Sequence, residues 1–219
     1  MAKEIEIHNL SKRFGKRVIF SNVNLDIDKG DFVAITGSSG CGKSTLLNMI
    51  GLMEEISSGS IRIGGRDLPE IKSKYATKLR REKINYLFQS YGLINDLTVL
   101  QNLLLSMNYV NISKKEKTKR ISQVLERVGL LDHMNEKVNT LSGGEQQRSA
   151  VARAMVKPGN LILADEPTGA LDTKNAEITM KLLLDLNAEG KTILLVTHDS
   201  NIAKMCNKVV KIADRSIII

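Results

Sequence analysis

Only two cysteines, Cys41 and Cys206, occur in 219 residues. That is too few for a disulfide framework, and neither belongs to a cluster with metal-ligand spacing. No run of about eighteen consecutive apolar residues is present, which argues against a membrane-spanning helix. No secretory leader precedes Lys3, so the expectation is a soluble, cytoplasmic chain. Internal repeats and low-complexity tracts are also missing. Aromatic residues make up 4% of the chain, and this scarcity decides how its basic charge is read. The formal net charge is +8, with clusters at Lys72 to Lys83 and Lys114 to Arg120. A nucleic-acid surface would interleave stacking aromatics with such cations; these clusters are lysine-rich and fall on expected helices. A solvated face is the preferred reading, contact with anionic lipid heads the second, and no nucleic-acid partner is expected. The length allows one substantial core with room for a smaller lobe, and the eight methionines read as core filler.

Against that background two glycine-rich segments stand out. The first is GSSGCGKST, Gly37 to Thr45. The apolar run Asp31 to Thr36 before it has the character of a buried parallel strand, and Ser44 to Ile50 after it has helical spacing. Gly37, Gly40 and Gly42 therefore sit in a strand-to-helix turn whose bare amides curl around an anion, aided by the positive end of the helix. In this arrangement Lys43 reaches the β- and γ-phosphates of ATP and the Ser44 hydroxyl ligates Mg²⁺. The second segment is LSGGEQQR, Leu141 to Arg148. Ser142 is an N-cap candidate, with Glu145 as its capping-box partner, for a helix running through Gln146, Arg148 and Ala152. An ordinary capped helix explains the serine and the glutamate. It gives no reason to leave Gly143 and Gly144 bare, and exposed amides there suit a second phosphate group.

Three further apolar runs end in polar side chains. Leu161 to Ala164 is followed by Asp165 and Glu166. Asp165 is placed to complete the Mg²⁺ shell begun by Ser44, and Glu166, leaving on the opposite side of the pleat, is the candidate general base. Thr192 to Thr197 ends at His198, a candidate donor to the γ-phosphate. Tyr86 to Phe88 ends at Gln89, whose neutral amide can ligate Mg²⁺ and meet the attacking water. His8 and His133 have no such setting and are expected at the surface.

Period-two alternation over Glu4 to Leu10, Val23 to Ile27 and Ser60 to Ile63 predicts an antiparallel sheet laid against the parallel core. Residues 90–155 are helical in tone, with helices over Val99 to Met107 and Lys114 to Val128, then the helix behind Ser142. They form an expected helical subdomain joined through Gln89. Residues 1–89 and 156–219 make the nucleotide core and its β subdomain, all within one domain. Strands and helices then alternate through Lys174 to Leu186 and Thr192. After Ala213 the chain turns at Asp214-Arg215 and ends without an expected regulatory domain. The overall fold expected is α/β.

With these motifs in this order, the chain resembles the ATP-binding subunit of an ABC transporter from about Glu4 to its end. The resemblance implies a P-loop NTPase core and a set of named elements. Gly37-Ser38-Ser39-Gly40-Cys41-Gly42-Lys43-Ser44-Thr45 is similar to the Walker A loop, Gln89 to the Q-loop and LSGGEQQR to the ABC signature. ILADE, ending at Glu166, is similar to Walker B with its catalytic glutamate; Gly169 to Asp172 to the D-loop; His198 to the switch histidine. Phe14 matches the aromatic residue that stacks on adenine. In the family the signature of one subunit closes over nucleotide held by the other. The resemblance therefore implies a pair of subunits, expected as a homodimer, around two ATP. Ser142, Gly143 and Gly144 would lie against the partner's γ-phosphate, with Asp172 linking the sites.

Within the family, the compact length, the stretch GLINDLTVLQNL and the run TGALD are most similar to subunits of lipoprotein-release, macrolide-efflux and antimicrobial-peptide export systems. Such subunits pair with a separate integral-membrane permease on the cytoplasmic face of the membrane. One departure is Val138-Asn-Thr140, where many relatives carry a proline. An ATP-driven conformational switch without transport, of the cell-division or iron–sulfur assembly type, uses the same residues and stays open. Tyr91 to Ile94 is read either as a docking point for the permease or as core of the helical lobe.

Overall fold

The computed structural model describes residues 2–218. Its first two strands, β1 (Lys3–Phe14) and β2 (Arg17–Asp28), form a long antiparallel ribbon. Ile5, Ile7, Val23, Leu25 and Ile27 point inward from it, as the alternating pattern requires. β1 continues past Leu10, where the alternation ends, as far as Phe14. It does so through register shifts, with Asn9 in the left-handed region at φ 47. β3 (Phe32–Gly37) then enters the second sheet and leads into α1 (Lys43–Ile50). β4 (Ser58–Ile63) and β5 (Arg66–Asp67) return to the first sheet, which has the order β2-β1-β4-β5.

The rest of the chain is α2 (Lys74–Glu82), β6 (Ile84–Leu87), α3 (Val99–Ser106), α4 (Lys114–Arg127), α5 (Gly143–Val156), β7 (Leu161–Asp165), α6 (Thr173–Ala188), β8 (Thr192–Val196), α7 (Ser200–Lys204), β9 (Lys208–Ala213) and β10 (Ser216–Ile218). The second sheet has the order β10-β9-β3-β8-β7-β6, parallel throughout except for β10. Besides the short strands β5 and β10, two elements were not anticipated from the pattern. β9 pairs in parallel with β3 although its exposed Lys208, Val209 and Lys211 dilute its apolar signal, and α7 is a single turn capped by Asp199. The turn at Asp214-Arg215 lies between β9 and β10, both residues at positive φ.

The parallel strands are continuously apolar because both of their faces are covered. Leu161 and Leu163 of β7 face a core shared with α1 and the antiparallel sheet. Ile162 and Ala164 face a second core built with α3 to α6. β8 divides its side chains the same way, Leu194 and Val196 against Ile193 and Leu195. Registers pair Leu87 with Ala164, Asp165 with Val196 and Val196 with Ile35. The carboxyl ends of β6, β7, β8 and β3 therefore share one rim, the place where open α/β sheets hold ligands.

Candidate nucleotide site

The rim begins with the turn between β3 and α1. Gly42, the residue ahead of the helix, has φ 109, and a Cβ there would lie 2.6 Å from Ile19 Cγ2 and 2.9 Å from Phe20 Cζ. Only glycine satisfies both the dihedral and the packing. Ser38, Ser39 and Gly40 are the exposed crest, while Cys41 packs partly into the first core and Thr45 is half-buried. Lys43 is 7% exposed, and its Nζ donates to the Gly37 and Ser38 carbonyls at 3.0 Å each, which folds the cation over the loop. Arg17 donates to the Gly40 carbonyl at 3.2 Å and ties the β1–β2 hairpin to this crest. Phe14, paired with Arg17 in that hairpin, is 47% exposed, and Lys12 Nζ sits 4.4 Å from its ring centroid.

Asp165, on the same pleat face as Leu161 and Leu163, points toward α1. The Ser44 hydroxyl donates to its Oδ1 at 2.9 Å. Burial raises the Asp165 carboxyl above its ordinary value, and the Glu166 charge adds to this. The Ser44 hydrogen bond and the Lys43 charge oppose the rise. Burial, then Asp165, also holds the Tyr86 phenol well above its usual range. The pair Ser44–Asp165 fits Mg²⁺: one hydroxyl and one carboxylate, both hard oxygen donors. No group of three acidic, histidine or cysteine side chains among the described residues would form an all-protein cage. Mg²⁺ in nucleotide sites takes few protein ligands and draws the rest from phosphate and water.

Glu166 lies just past the strand end, at φ 45 in the left-handed region, with its amide donating to the Val196 carbonyl at 3.1 Å. That backbone turn, beyond the last pleated residue, directs its side chain. Glu166 Oε1 stands 3.4 Å from His198 Nδ1, whose side chain is 66% exposed. Ser44 and Asp165 thus form one pair, Glu166 and His198 another. Gln89 is exposed, two residues beyond β6 at the same rim, without a hydrogen-bonding partner for its side chain among the described residues.

Ser142, Gly143 and Gly144 sit at the N-terminus of α5, and no hydrogen bond joins them to the phosphate loop or to Asp165 and Glu166 among the described residues. The capping box is formed. Ser142 donates its amide and hydroxyl to Glu145 Oε2 at 2.8 and 2.7 Å, holding that carboxyl below its ordinary value. Gly143 is exposed, beside the Tyr91 hydroxyl. Gly144 corrects the expectation of two bare glycines. It is buried, and a Cβ there would overlap Asn175 Oδ1, so close packing against α6 demands its small size. Asp172, the N-cap of α6, accepts from the Asn175 amide at 2.9 Å and from Asn175 Nδ2 at 2.6 Å.

Three side chains that the sequence pattern does not single out organise this region. Asn175 accepts from Arg148 at 2.9 Å. Arg153, further along α5, donates to the carbonyls of Tyr86, Tyr91 and Gly92, bracing the loop that follows Gln89. Arg17 braces the phosphate loop. Only Asn175 left a local trace, as the third residue after a capping aspartate; the two arginines act across long sequence separations. His8 is exposed, as expected, whereas His133 departs from expectation. It is half-buried, with its ring nitrogens 3.2 Å from Glu136 and 3.7 Å from Glu145, against the start of α5. Within Tyr91 to Ile94, Tyr91 packs on the second core, whereas Ile94 is 51% exposed.

The profile of the ABC transporter family matches residues 20–169. The chain belongs to that family. As an ABC cassette it has the P-loop NTPase fold and is an ATPase. It is 43% identical over 218 residues to the macrolide export ATP-binding/permease protein MacB of Aggregatibacter actinomycetemcomitans, covering 98% of this chain and 34% of MacB. The chain thus spans about a third of the length of its MacB relatives. To the uncharacterized ABC transporter ATP-binding protein YknY of Bacillus subtilis it is also 43% identical, over 98% of this chain and 95% of that protein. Among solved structures, the dimeric post-hydrolysis state of the ATP-binding cassette MJ0796 bound to ADP and Pi superposes with a TM-score of 0.89. It is 39% identical and covers 97% of this cassette and 96% of that chain. No helix among the described residues is long and apolar enough to cross a membrane.

Proposed function

We propose that this cassette is the ATP-binding and hydrolysing subunit of an exporter. Two copies close face to face around two ATP and drive a separate integral-membrane permease from the cytoplasmic face of the membrane. The cargo class is antimicrobial peptide, drug or lipoprotein. One observation carries the reading: the phosphate loop, Asp165, Glu166 and His198 gather at one rim, whereas the capped turn at Ser142–Gly143 is unconnected to them. An exposed helix N-terminus of that kind is suited to phosphate brought by a second copy. The dimeric MJ0796 structure supports the pairing, and the names of the MacB relatives support export.

In-line attack on the γ-phosphoryl group spreads developing charge over its equatorial oxygens. Lys43, His198 and the partner's Ser142–Gly143 turn supply hydrogen-bond donors to that charge. Glu166 accepts the proton of the attacking water, while Gln89 orients it. Ser44 and Asp165 would hold Mg²⁺, together with Gln89, and the ion would supply charge neutralisation at the phosphates. Phe14 offers its ring to adenine, and Asp172 sits at the turn facing the partner. Mechanical output runs through the loop after Gln89, which Arg153 fastens to α5.

Replacing Glu166 by Gln tests this directly. Sedimentation velocity should show the variant dimeric in saturating Mg-ATP, and its turnover should fall by at least about a hundredfold, as expected for loss of a general base. A variant that stays monomeric, or hydrolyses at the wild-type rate, overturns the reading. Reconstitution with its permease should raise wild-type turnover. An ATP-dependent response of a soluble scaffold, with no permease effect, would instead favour a switch without transport.

A further inference from the structure

We infer that Asn175 is a positioning residue that transmits closure between the Ser142 turn and the Asp172 turn. The inference deepens the dimer reading above and rests on it. Both ends of the Asn175 carboxamide are engaged. Its Oδ1 accepts from Arg148 Nη1 at 2.9 Å, and its Nδ2 donates to Asp172 Oδ2 at 2.6 Å. Its backbone amide donates to Asp172 Oδ1 at 2.9 Å, so one residue holds both oxygens of that cap. The same carboxamide lies against Gly144, where any side chain would overlap it.

Arg148 follows Gly144 by four residues and lies one turn along the same helix. Asn175 therefore touches α5 at two successive turns just behind Ser142, while gripping the turn that precedes α6. A shift of α5 that re-aims the Ser142–Gly143 amides must either carry Asp172 with it or break the Arg148–Asn175 bond. The bond is charge-assisted and partly buried, and the Gly144 contact leaves no room for slippage on that side. The polar atoms of Asn175 are committed to the protein and not to a nucleotide. Its role is to keep two partner-facing turns in one geometry, where small misplacement is costly to chemistry.

The test uses the full chain and steady-state ATPase kinetics, with ATP affinity and thermal melting measured beside them. Asn175→Ala should lower kcat by about tenfold or more while KM for ATP stays within about twofold. The ATP concentration needed to dimerise Glu166→Gln should rise by a similar factor in Glu166→Gln/Asn175→Ala. Arg148→Met should lower kcat in the same direction, and the Arg148→Met/Asn175→Ala double variant should be no worse than Asn175→Ala, because that truncation already removes the acceptor of Arg148. A donor–acceptor exchange supplies the rescue. Asn175→Asp places a carboxylate against Asp172 and should lose at least as much turnover as Asn175→Ala. Adding Asp172→Asn restores the bridge, since asparagine still caps the helix and its side-chain amide donates to the carboxylate introduced by Asn175→Asp. The exchanged pair should turn over at least about fivefold faster than Asn175→Asp alone.

Wild-type kcat in Asn175→Ala overturns the inference, as do strictly additive losses or a fall in kcat that tracks melting temperature across all variants. If Glu166→Gln fails to dimerise in otherwise wild-type background, the dimer reading fails first. If it dimerises and the Asn175 variants behave as wild type, only the coupling role is lost.

Discussion

Gly42→Ala is the most demanding test of the phosphate-loop geometry. The native residue has φ 109, and a methyl group there would stand 2.6 Å from Ile19 Cγ2 and 2.9 Å from Phe20 Cζ. Holding a non-glycine residue at such a dihedral costs about 1–3 kcal/mol. Forcing a methyl into a packed core contact adds about 1–3 kcal/mol. The usual gain from alanine in a helix does not apply, because Gly42 precedes the first helical residue. The expected loss is about 4 kcal/mol, or a drop in Tm of roughly 8–16 °C for a chain of this size. Urea unfolding followed by circular dichroism measures the loss. Repeating the substitution in a Phe20→Leu background isolates the contribution of the Phe20 ring. Removing the ring should reduce the cost of Gly42→Ala by about 1 kcal/mol and leave the dihedral part together with the Ile19 contact. A Gly42→Ala variant within about 0.5 kcal/mol of wild type would refute the argument, because the loop would then relax at no cost. An equal cost in both backgrounds would refute the share assigned to Phe20.

Lys43→Ala should abolish binding of a fluorescent ATP analogue while the protein stays folded, since among the described residues its cation serves the Gly37 and Ser38 carbonyls. Unchanged affinity would remove the assigned role. Ser142→Ala deletes the cap of α5 and should cost about 1 kcal/mol in urea unfolding, with Ser142→Thr recovering most of it. Lys157, donating to the Arg80 and Ile84 carbonyls, is pushed down to about 8 from 10.5 by burial and then by Arg153. Between those values the unfolded chain binds more protons than the folded one, so this group makes stability rise from about pH 8 to 10.5. The difference in urea midpoint between wild type and Lys157→Met should grow in favour of wild type across that window. A flat difference would show that the ammonium is not destabilised by its surroundings.

Local chemistry made much of the nucleotide rim legible. Glycines flanked by an apolar strand and a helix announce a phosphate turn, and Ser142 followed by Glu145 announces a capping box. Both are formed within a few residues, so short-range pattern carries them. The apolar runs at β7 and β8 were equally readable, because strands covered on both faces have no polar positions. β9 escaped notice because half of its residues are exposed, and its place depends on pairing with β3 far earlier in the chain. The length of β1 escaped for a related reason: its distal half bends through register shifts that no alternation records.

Side chains acting at long range were illegible. Whether Gly144 would be bare or buried depended on where α6 packs, and α6 places Asn175 against it. Arg17, Arg148 and Arg153 look like surface cations in the sequence; each finds a carbonyl or carboxamide tens of residues away. The chain's local order thus prescribes which groups exist, the glycine-rich turn between β3 and α1, the caps and the strand ends. Packing of α5 against α6, and of the hairpin against the phosphate loop, prescribes which of those groups touch. The physical reason is that caps and turns satisfy backbone amides locally, whereas the remaining polar groups are satisfied only when distant elements meet.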